Sequence, residues 1–449
     1  MNGRRVGSTY QQRRRRSSQP DSSKLSFGKL VSFAFNYINI GLRSMALQPT
    51  TGSNKRINVR RHRPDYQIVM IAGVLLMLGM IIIYSVSPAL SQRLLGDYSE
   101  NYFVYRQFIN ICIGLVGFFI ASQIPMQLWK RVLPLMIFVS ALVTVAMFIP
   151  GIGISQNGAT RWIGVGPLSF QPVELMKITT LFYLAFFLGE KSDDDINDAS
   201  KTTLPVGLML LGLSFLIVVV QRDLGTMMSI AAIAFTLLFI AETPLKHFGT
   251  LVGLMTVGAV LSIALFPHRI ARFLTFLNPT DDLQGAGYHV YQALIAIGSG
   301  GFTGLGLGRS VQVYGYLPEA ANDSIFAVWA EKFGFIGALV ILGLFTFLLY
   351  RLYVLVRDGR DKPSSLVAAG IMVWFASHIA INIGAMLRLL PLTGITLPFI
   401  SYGGSSMLFM LISLGIAFQL SRYTQKSSDV QRFATHRNEG VNRAVRSRI

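Results

Sequence analysis

Seven ionisable side chains lie within or at the ends of strongly apolar runs of this 449-residue chain: Arg106, Glu174, Lys177, Asp223, Asp323, Glu331 and Arg388. A charge at the centre of a bilayer costs about 3 kcal/mol or more unless it faces a partner or a polar cavity. Their clustering therefore predicts one shared polar cavity. Glu174 and Lys177 stand i, i+3 on one helix face, placed to pair with each other or with a substrate. Asp281 and Asp282 sit between Pro279 and Gly285, residue types that present them on a turn. Carboxylates can accept a proton or hold a cation, and Arg and Lys can offset developing negative charge. Structural readings stand beside these. Asp223, Asp323 and Arg388 can be interfacial anchors, and Glu174–Lys177 can be a buried pair that fixes helix register.

The glycine-rich passage from Gly298 to Gly308 resembles a phosphate-cradling loop only superficially. A P-loop needs Gly at 303 and Lys at 309, where this chain has Thr303 and Arg309, and no strand–helix alternation surrounds it. Two readings stay open for it: backbone in contact with substrate, or backbone packed closely on a membrane segment.

What must position these residues follows from composition. Hydrophobic residues make up 52% of the chain and charged residues 14%, well below the quarter or so of soluble proteins. The apolar residues fall in blocks long enough to cross a hydrocarbon core. Ten spans are predicted, near 66–86, 106–123, 131–149, 172–189, 204–221, 223–241, 248–266, 322–350, 364–388 and 399–421. The fold class expected is an all-α polytopic membrane protein. Cys112 is the only cysteine, so neither a disulfide framework nor a cysteine-built metal site is available.

Residues 1–65 and 422–449 together hold 21 Lys and Arg against four acidic residues, a net +17 of the chain's +19. Basic flanks stay in the cytoplasm, so both termini are expected inside and the long segments 150–171 and 267–321 outside. The second, between spans seven and eight, is the large extracytoplasmic loop. The domain organisation is then a basic, mostly disordered arm over 1–65, a membrane domain over 66–422 and a basic tail over 423–449. Attraction to the anionic inner leaflet explains the basic ends better than nucleic-acid binding, because no Lys/Arg stripe lies in a folded soluble region.

The segment from Asn382 through Pro391 and Pro398 to Ser401-Tyr-Gly-Gly-Ser-Ser406 resembles the signature of the SEDS family, the FtsW, RodA and SpoVE proteins. Tyr84-Ser85, Arg106-Gln107, Asn157 to Trp162, Gln171-Pro-Val-Glu174, Asp223-Leu-Gly-Thr226, the Asp282–Gln292 passage and Leu317-Pro-Glu319 agree in order and spacing. The extended basic arm and Gly315–Glu319 favour an FtsW-like member.

The resemblance implies a peptidoglycan glycosyltransferase. Such an enzyme polymerises lipid II at the extracytoplasmic face of a bacterial cytoplasmic membrane. Its implied partners are a class B penicillin-binding protein and other divisome or elongasome proteins. It implies Asp282 as catalytic base or metal ligand, with a divalent cation (Mg²⁺ or Mn²⁺) and no organic cofactor. Arg106, Gln107, Arg161, Gln171, Glu174, Lys177, Glu331 and Ser401 are the implied substrate-binding residues. A lipid II flippase or an inactive division scaffold are the alternatives. Departures from the family pattern are Val173, Arg222, Leu283, Lys332, Ala321–Ser324, His378 and Arg388, the last standing where Gly is common.

Overall fold

The computed structural model describes residues 63–95, 99–156, 159–165, 168–264, 266–277 and 286–423. The predicted arm before residue 63 and tail after 423 lie outside them, as do Asp281 and Asp282. The chain is a multi-pass membrane protein. Among the described residues, nine helices are long and apolar enough to cross a bilayer, and Leu224–Ile240, with 17 residues, is a shorter apolar tenth.

The α-helices of eleven or more residues are α1 (Tyr66–Leu95), α2 (Tyr102–Gln123), α3 (Met126–Ala146), α4 (Pro172–Gly189), α5 (Leu204–Ser214), α6 (Leu224–Ile240) and α7 (Leu245–Ala264). Then follow α8 (Pro267–Leu277), α9 (Ala286–Ser299), α10 (Ile325–Arg357), α11 (Lys362–Met386) and α12 (Gly404–Leu420). Every predicted span overlaps an apolar helix, that at 204–221 being made of α5 together with the π turn that follows it. The predicted start of span eight at 322 moves to Ile325, because Asn322 and Asp323 belong to the turn ahead of the helix.

Burial divides the helices into two groups. The spans containing α4, α11 and α12 are mostly enclosed and form the centre, whereas α3 and α7 present nearly all their apolar surface outward, as lipid requires. Where α2 crosses α12, glycines let the backbones approach. A Cβ on Gly415 would lie 2.5 Å from the Phe118 carbonyl oxygen, and one on Gly114 would meet Leu411.

Three features were not read from the sequence. A small antiparallel sheet, β1 (Gly153–Gln156), β2 (Ala159–Val165) and β3 (Leu168–Phe170), occupies the segment before α4. Two π-helical turns, Ala199–Thr203 and Phe215–Val220, flank α5. Helix α8 is a short amphipathic helix following α7, with Ile270, Phe273, Leu274 and Leu277 exposed.

The glycine-rich passage packs on a break in α10. Gly334 has φ 65° and ψ −163°, and the hydrogen bonds lost at this kink are replaced by the passage. Leu305 N–H donates to the Glu331 carbonyl at 3.0 Å, Gly306 N–H to Lys332 at 2.9 Å, and Phe335 N–H to Gly301 at 2.9 Å. A Cβ on Gly300 would lie 2.0 Å from the Ala330 oxygen, which is why glycine is required. The close-packing reading is the one the geometry supports. Gly334→Ala forces a side chain into a backbone region that is essentially glycine-only. It is expected to cost about 1–3 kcal/mol, read as a lowered thermal midpoint in detergent.

Candidate active site

Three polar networks meet around the segment Leu392–Ser406, which joins α11 to α12. The first ties this segment to α2. Gln107, buried, donates from Nε2 to the Ser401 carbonyl at 3.3 Å, and Ser401 Oγ donates to the Asn322 carbonyl at 2.7 Å while accepting from Leu397 N–H. Gln171, which precedes α4, donates its backbone N–H to Ser405 Oγ at 3.0 Å. Arg106 lies over the Tyr102 ring and hydrogen-bonds Tyr402.

The second network is at the centre of the bundle. Glu174 and Lys177, 4% and 1% exposed, pair at 2.8 Å across one helical turn of α4. Lys177 Nζ also lies 3.1 Å from His378 Nε2 and 5.1 Å from the Trp374 ring centre, both on α11. Trp374 Nε1–H donates to the same His378 nitrogen at 3.1 Å. With two donors converging on Nε2, the ring proton must sit on Nδ1, where it is directed at the Thr396 carbonyl 3.3 Å away. His378, in place of the Gln common in the resembling family, thus links α4 and α11 to the signature segment as a neutral imidazole. Glu174 Oε2 has no hydrogen-bond partner among the described residues.

The third network is cationic, and the sequence did not reveal it. The widened π turn before Gln221 leaves carbonyls of that segment free for side chains. Arg161, on β2, donates from Nε to the Gln221 carbonyl at 3.2 Å and from Nη2 to the Arg222 carbonyl at 2.6 Å. Arg269, on α8, is buried and donates to the Val218 and Ser262 carbonyls. One turn along α8, Arg272 makes no hydrogen bond or ion pair among the described residues. It lies within electrostatic reach of Arg161, Asp223 and Asp323.

Asp223 is occupied as the N-cap of α6, accepting from Thr226 N–H and Oγ1–H at 3.0 Å each. Asp323, in the turn ahead of α10, lines a narrow cleft with Asn382, Thr393 and Gly394. Burial, with Glu319 and Asp223 nearby, pushes its carboxyl up to about 7, against the opposing pull of Arg161 and Arg272. His289, on α9, lies 2.5 Å through Nε2 from Ser324 Oγ, whose own proton goes to the Pro318 carbonyl, so Nε2 is the donor. Burial, with Arg272 beside it, holds that imidazole down at about 4, so it is neutral at pH 7.

The structure thus brings Gln107 and Ser401 together directly, pairs Glu174 with Lys177, and sets Arg161 beside two arginines of α8. Glu331 has a different occupation. It is fully buried, and its carboxylate accepts from Ser310 Oγ at 2.6 Å and from the backbone N–H groups of Val311 and Gln312 at 2.9 and 3.2 Å, anchoring the end of the glycine-rich passage. Asp282 lies outside the described residues, in the stretch between Leu277 of α8 and Ala286 of α9.

Ten apolar helices among the described residues, nine of them long enough to span, with one buried ion pair and an Asn382–Ser406 signature, define a polytopic membrane protein with a polar interior. The family model described as "Cell cycle protein", covering FtsW, RodA and SpoVE, matches residues 66–426, and the chain belongs to that family. It is 37% identical over 370 residues to stage V sporulation protein E of Bacillus subtilis, covering 82% of this chain and 100% of that one. It is 36% identical over 364 residues to the probable peptidoglycan glycosyltransferase FtsW of Coxiella burnetii, covering 80% and 97%. Among solved structures, it superposes on a chain of a peptidoglycan synthase complex with TM-score 0.64 and 27% identity, covering 80% of this chain and 98% of that one. The rod shape determining protein RodA of Thermus thermophilus superposes with TM-score 0.59 and 26% identity, covering 81% and 98%.

Proposed function

We propose that this chain is a peptidoglycan glycosyltransferase that polymerises lipid II at the extracytoplasmic face of the cytoplasmic membrane. The observation that carries this reading is the cationic arc of Arg161, Arg269 and Arg272, in which Arg272 makes no hydrogen bond or ion pair among the described residues and stands on the helix that precedes Asp282 in the chain. An arc of this charge suits the diphosphate of a lipid-linked sugar, whose prenyl tail stays among the outward-facing helices. The names of the relatives, several of them probable peptidoglycan glycosyltransferases, support the same chemistry.

In this mechanism Asp282 takes the proton from a sugar hydroxyl of one substrate as that oxygen attacks the anomeric carbon of the other. The bond from that carbon to the diphosphate breaks, and the leaving group carries away the electron pair. Arg272 and Arg161 offset the charge that grows on it in a site drier than bulk water. Lys177, with Glu174, is assigned to the electrostatics of the interior. Gln107, Gln171 and Ser401 hold the signature segment in place, and Arg106 holds its Tyr402 from α2.

No group of three or more His, Cys, Asp or Glu able to hold a metal exists among the described residues. A Mg²⁺ or Mn²⁺ ion at Asp282 would therefore be held by that carboxylate together with substrate oxygens, and when bound it would supply further charge neutralisation. The partner in this reading is a class B penicillin-binding protein, which crosslinks the strands. The likeness to a synthase complex in which polymerisation and crosslinking are coordinated supports that choice.

Purified protein incubated with fluorescent lipid II in detergent, where there is no bilayer to cross, tests the proposal. Glycan strands are expected. Movement of lipid II across vesicles with no strands in detergent would identify a flippase instead.

The arc also carries a pH dependence. Below about 7 Asp323 is neutral and the positive field of Arg161 and Arg272 is less cancelled; above it, the carboxylate joins Asp223 and Glu319 in opposing an anion. Lowering pH from 8 to 6 is therefore expected to reduce the KM for lipid II about fivefold, the effect of ~1 kcal/mol of charge interaction. Asp323→Asn should remove most of that change.

A further inference from the structure

We infer that Arg388 is a positioning residue that clamps α8 to the end of α11 and so holds Arg272 within the cationic arc. The inference rests on the reading of that arc as a diphosphate site. Arg388 lies two residues past the last residue of α11, in the turn that ends the helix. Leu389 and Leu390 N–H groups both turn back to the Gly384 carbonyl, at 2.7 and 3.1 Å, and Arg388 itself has φ 57°. Glycine is the residue suited to this left-handed position, and a side chain there costs about 1 kcal/mol. The chain carries an arginine at this strained point, and the side chain is fully used.

Its guanidinium crosses to α8, more than a hundred residues away in sequence. Nε donates to the Phe276 carbonyl at 3.2 Å and Nη2 to the Leu277 carbonyl at 2.5 Å. These are the last two residues of α8, where helix carbonyls have no intrahelical partner and the dipole is negative. Arg388 has no carboxylate partner among the described residues, so the clamp to α8 is its interaction. Helix α8 is thereby fixed at both ends: Arg269 ties its first turn to the Val218 and Ser262 carbonyls, and Arg388 ties its last.

Between these two ties lies Arg272. On the other side of the arc, Asn382 of α11 donates from Nδ2 to the Asp323 carbonyl at 2.8 Å and to the Ile395 carbonyl at 2.7 Å. The end of α11 therefore holds both the acidic wall of the arc, through Asn382, and its cationic wall, through Arg388. The spacing between Arg272 and Asp323 is set from one helix terminus. Most of α8 is otherwise exposed, with Leu274 and Leu277 more than half accessible, so packing alone gives it little restraint.

The discriminating variant is Arg388→Gly, which removes the clamp while giving the backbone the residue it favours. Full-length protein in detergent is titrated with undecaprenyl diphosphate, its thermal midpoint is measured, and amide exchange is followed across residues 270–277. The expected result is a Kd about tenfold weaker and exchange about tenfold faster, with a midpoint equal to or above the wild-type value. Arg388→Lys, which keeps one donor, should recover part of the affinity. Unchanged affinity or unchanged exchange in Arg388→Gly, with wild type binding normally, would overturn the clamp alone. A midpoint that falls in step with affinity would also overturn it, since Arg388 would then be a fold residue. If the wild-type protein does not bind the diphosphate at all, the reading of the arc fails, and the clamp's role with it.

Discussion

Asp282→Asn is expected to reduce glycan strand synthesis from lipid II by about a thousandfold, within the range set by removing a general base. Asn keeps the size and hydrogen-bonding shape of the residue but cannot take up a proton, so substrate binding should change far less than turnover. The KM for lipid II should stay within a few-fold while kcat collapses. Asp281→Asn is the control. The proposed function gives the base to Asp282, so the Asp281 variant should keep most of its activity. Equal losses in the two would mean that the pair acts jointly.

The second large effect concerns the interior ion pair. Lys177→Ala leaves the Glu174 carboxylate 4% exposed with no cation, and Glu174 already has one oxygen without a partner among the described residues. Breaking one side of a buried pair costs about 3–5 kcal/mol. The expected result is protein that unfolds at markedly lower temperature or fails to accumulate in the membrane. Removing both charges with Glu174→Gln and Lys177→Met should recover most of the stability, because no uncompensated charge remains. Activity of that double variant separates the two roles left open by the i, i+3 spacing. A stable but inactive protein makes the pair part of the chemistry, and a stable, active one makes it a register lock.

The spans were legible in the sequence because a bilayer imposes one simple requirement, about twenty apolar residues in a row. Every predicted span meets an apolar helix. The buried charges of α4 were legible for the same reason, since nothing else in an apolar run explains them. What escaped was structure whose cause is tertiary. The strands at 153–170 are three to seven residues long and carry no sustained alternation. The π turns beside α5 have no composition of their own, yet the second supplies the Val218 carbonyl that Arg269 uses and ends just ahead of the Gln221 and Arg222 carbonyls that Arg161 uses.

Helix α8 did leave a signal. Ile270, Phe273, Leu274 and Leu277 repeat at helical spacing, with Arg269 and Arg272 among them, but the stretch falls inside what the span pattern assigned to a loop. Glu331 shows the opposite case. It was conspicuous as an ionisable residue in an apolar run, and only the fold reveals that Ser310, Val311 and Gln312 satisfy it. Arg388 stood out only as a departure from a pattern, and its partners on α8 could not be found without the fold.

The most direct test follows the leaving group. Detergent-solubilised protein with its class B partner is given lipid II, and undecaprenyl diphosphate release is counted against disaccharide units incorporated into muramidase-sensitive strands. One diphosphate per bond formed is expected from the wild type and almost none from Asp282→Asn. Strands formed at the wild-type rate without Asp282, or no diphosphate released by the wild type at all, would contradict the proposed enzyme.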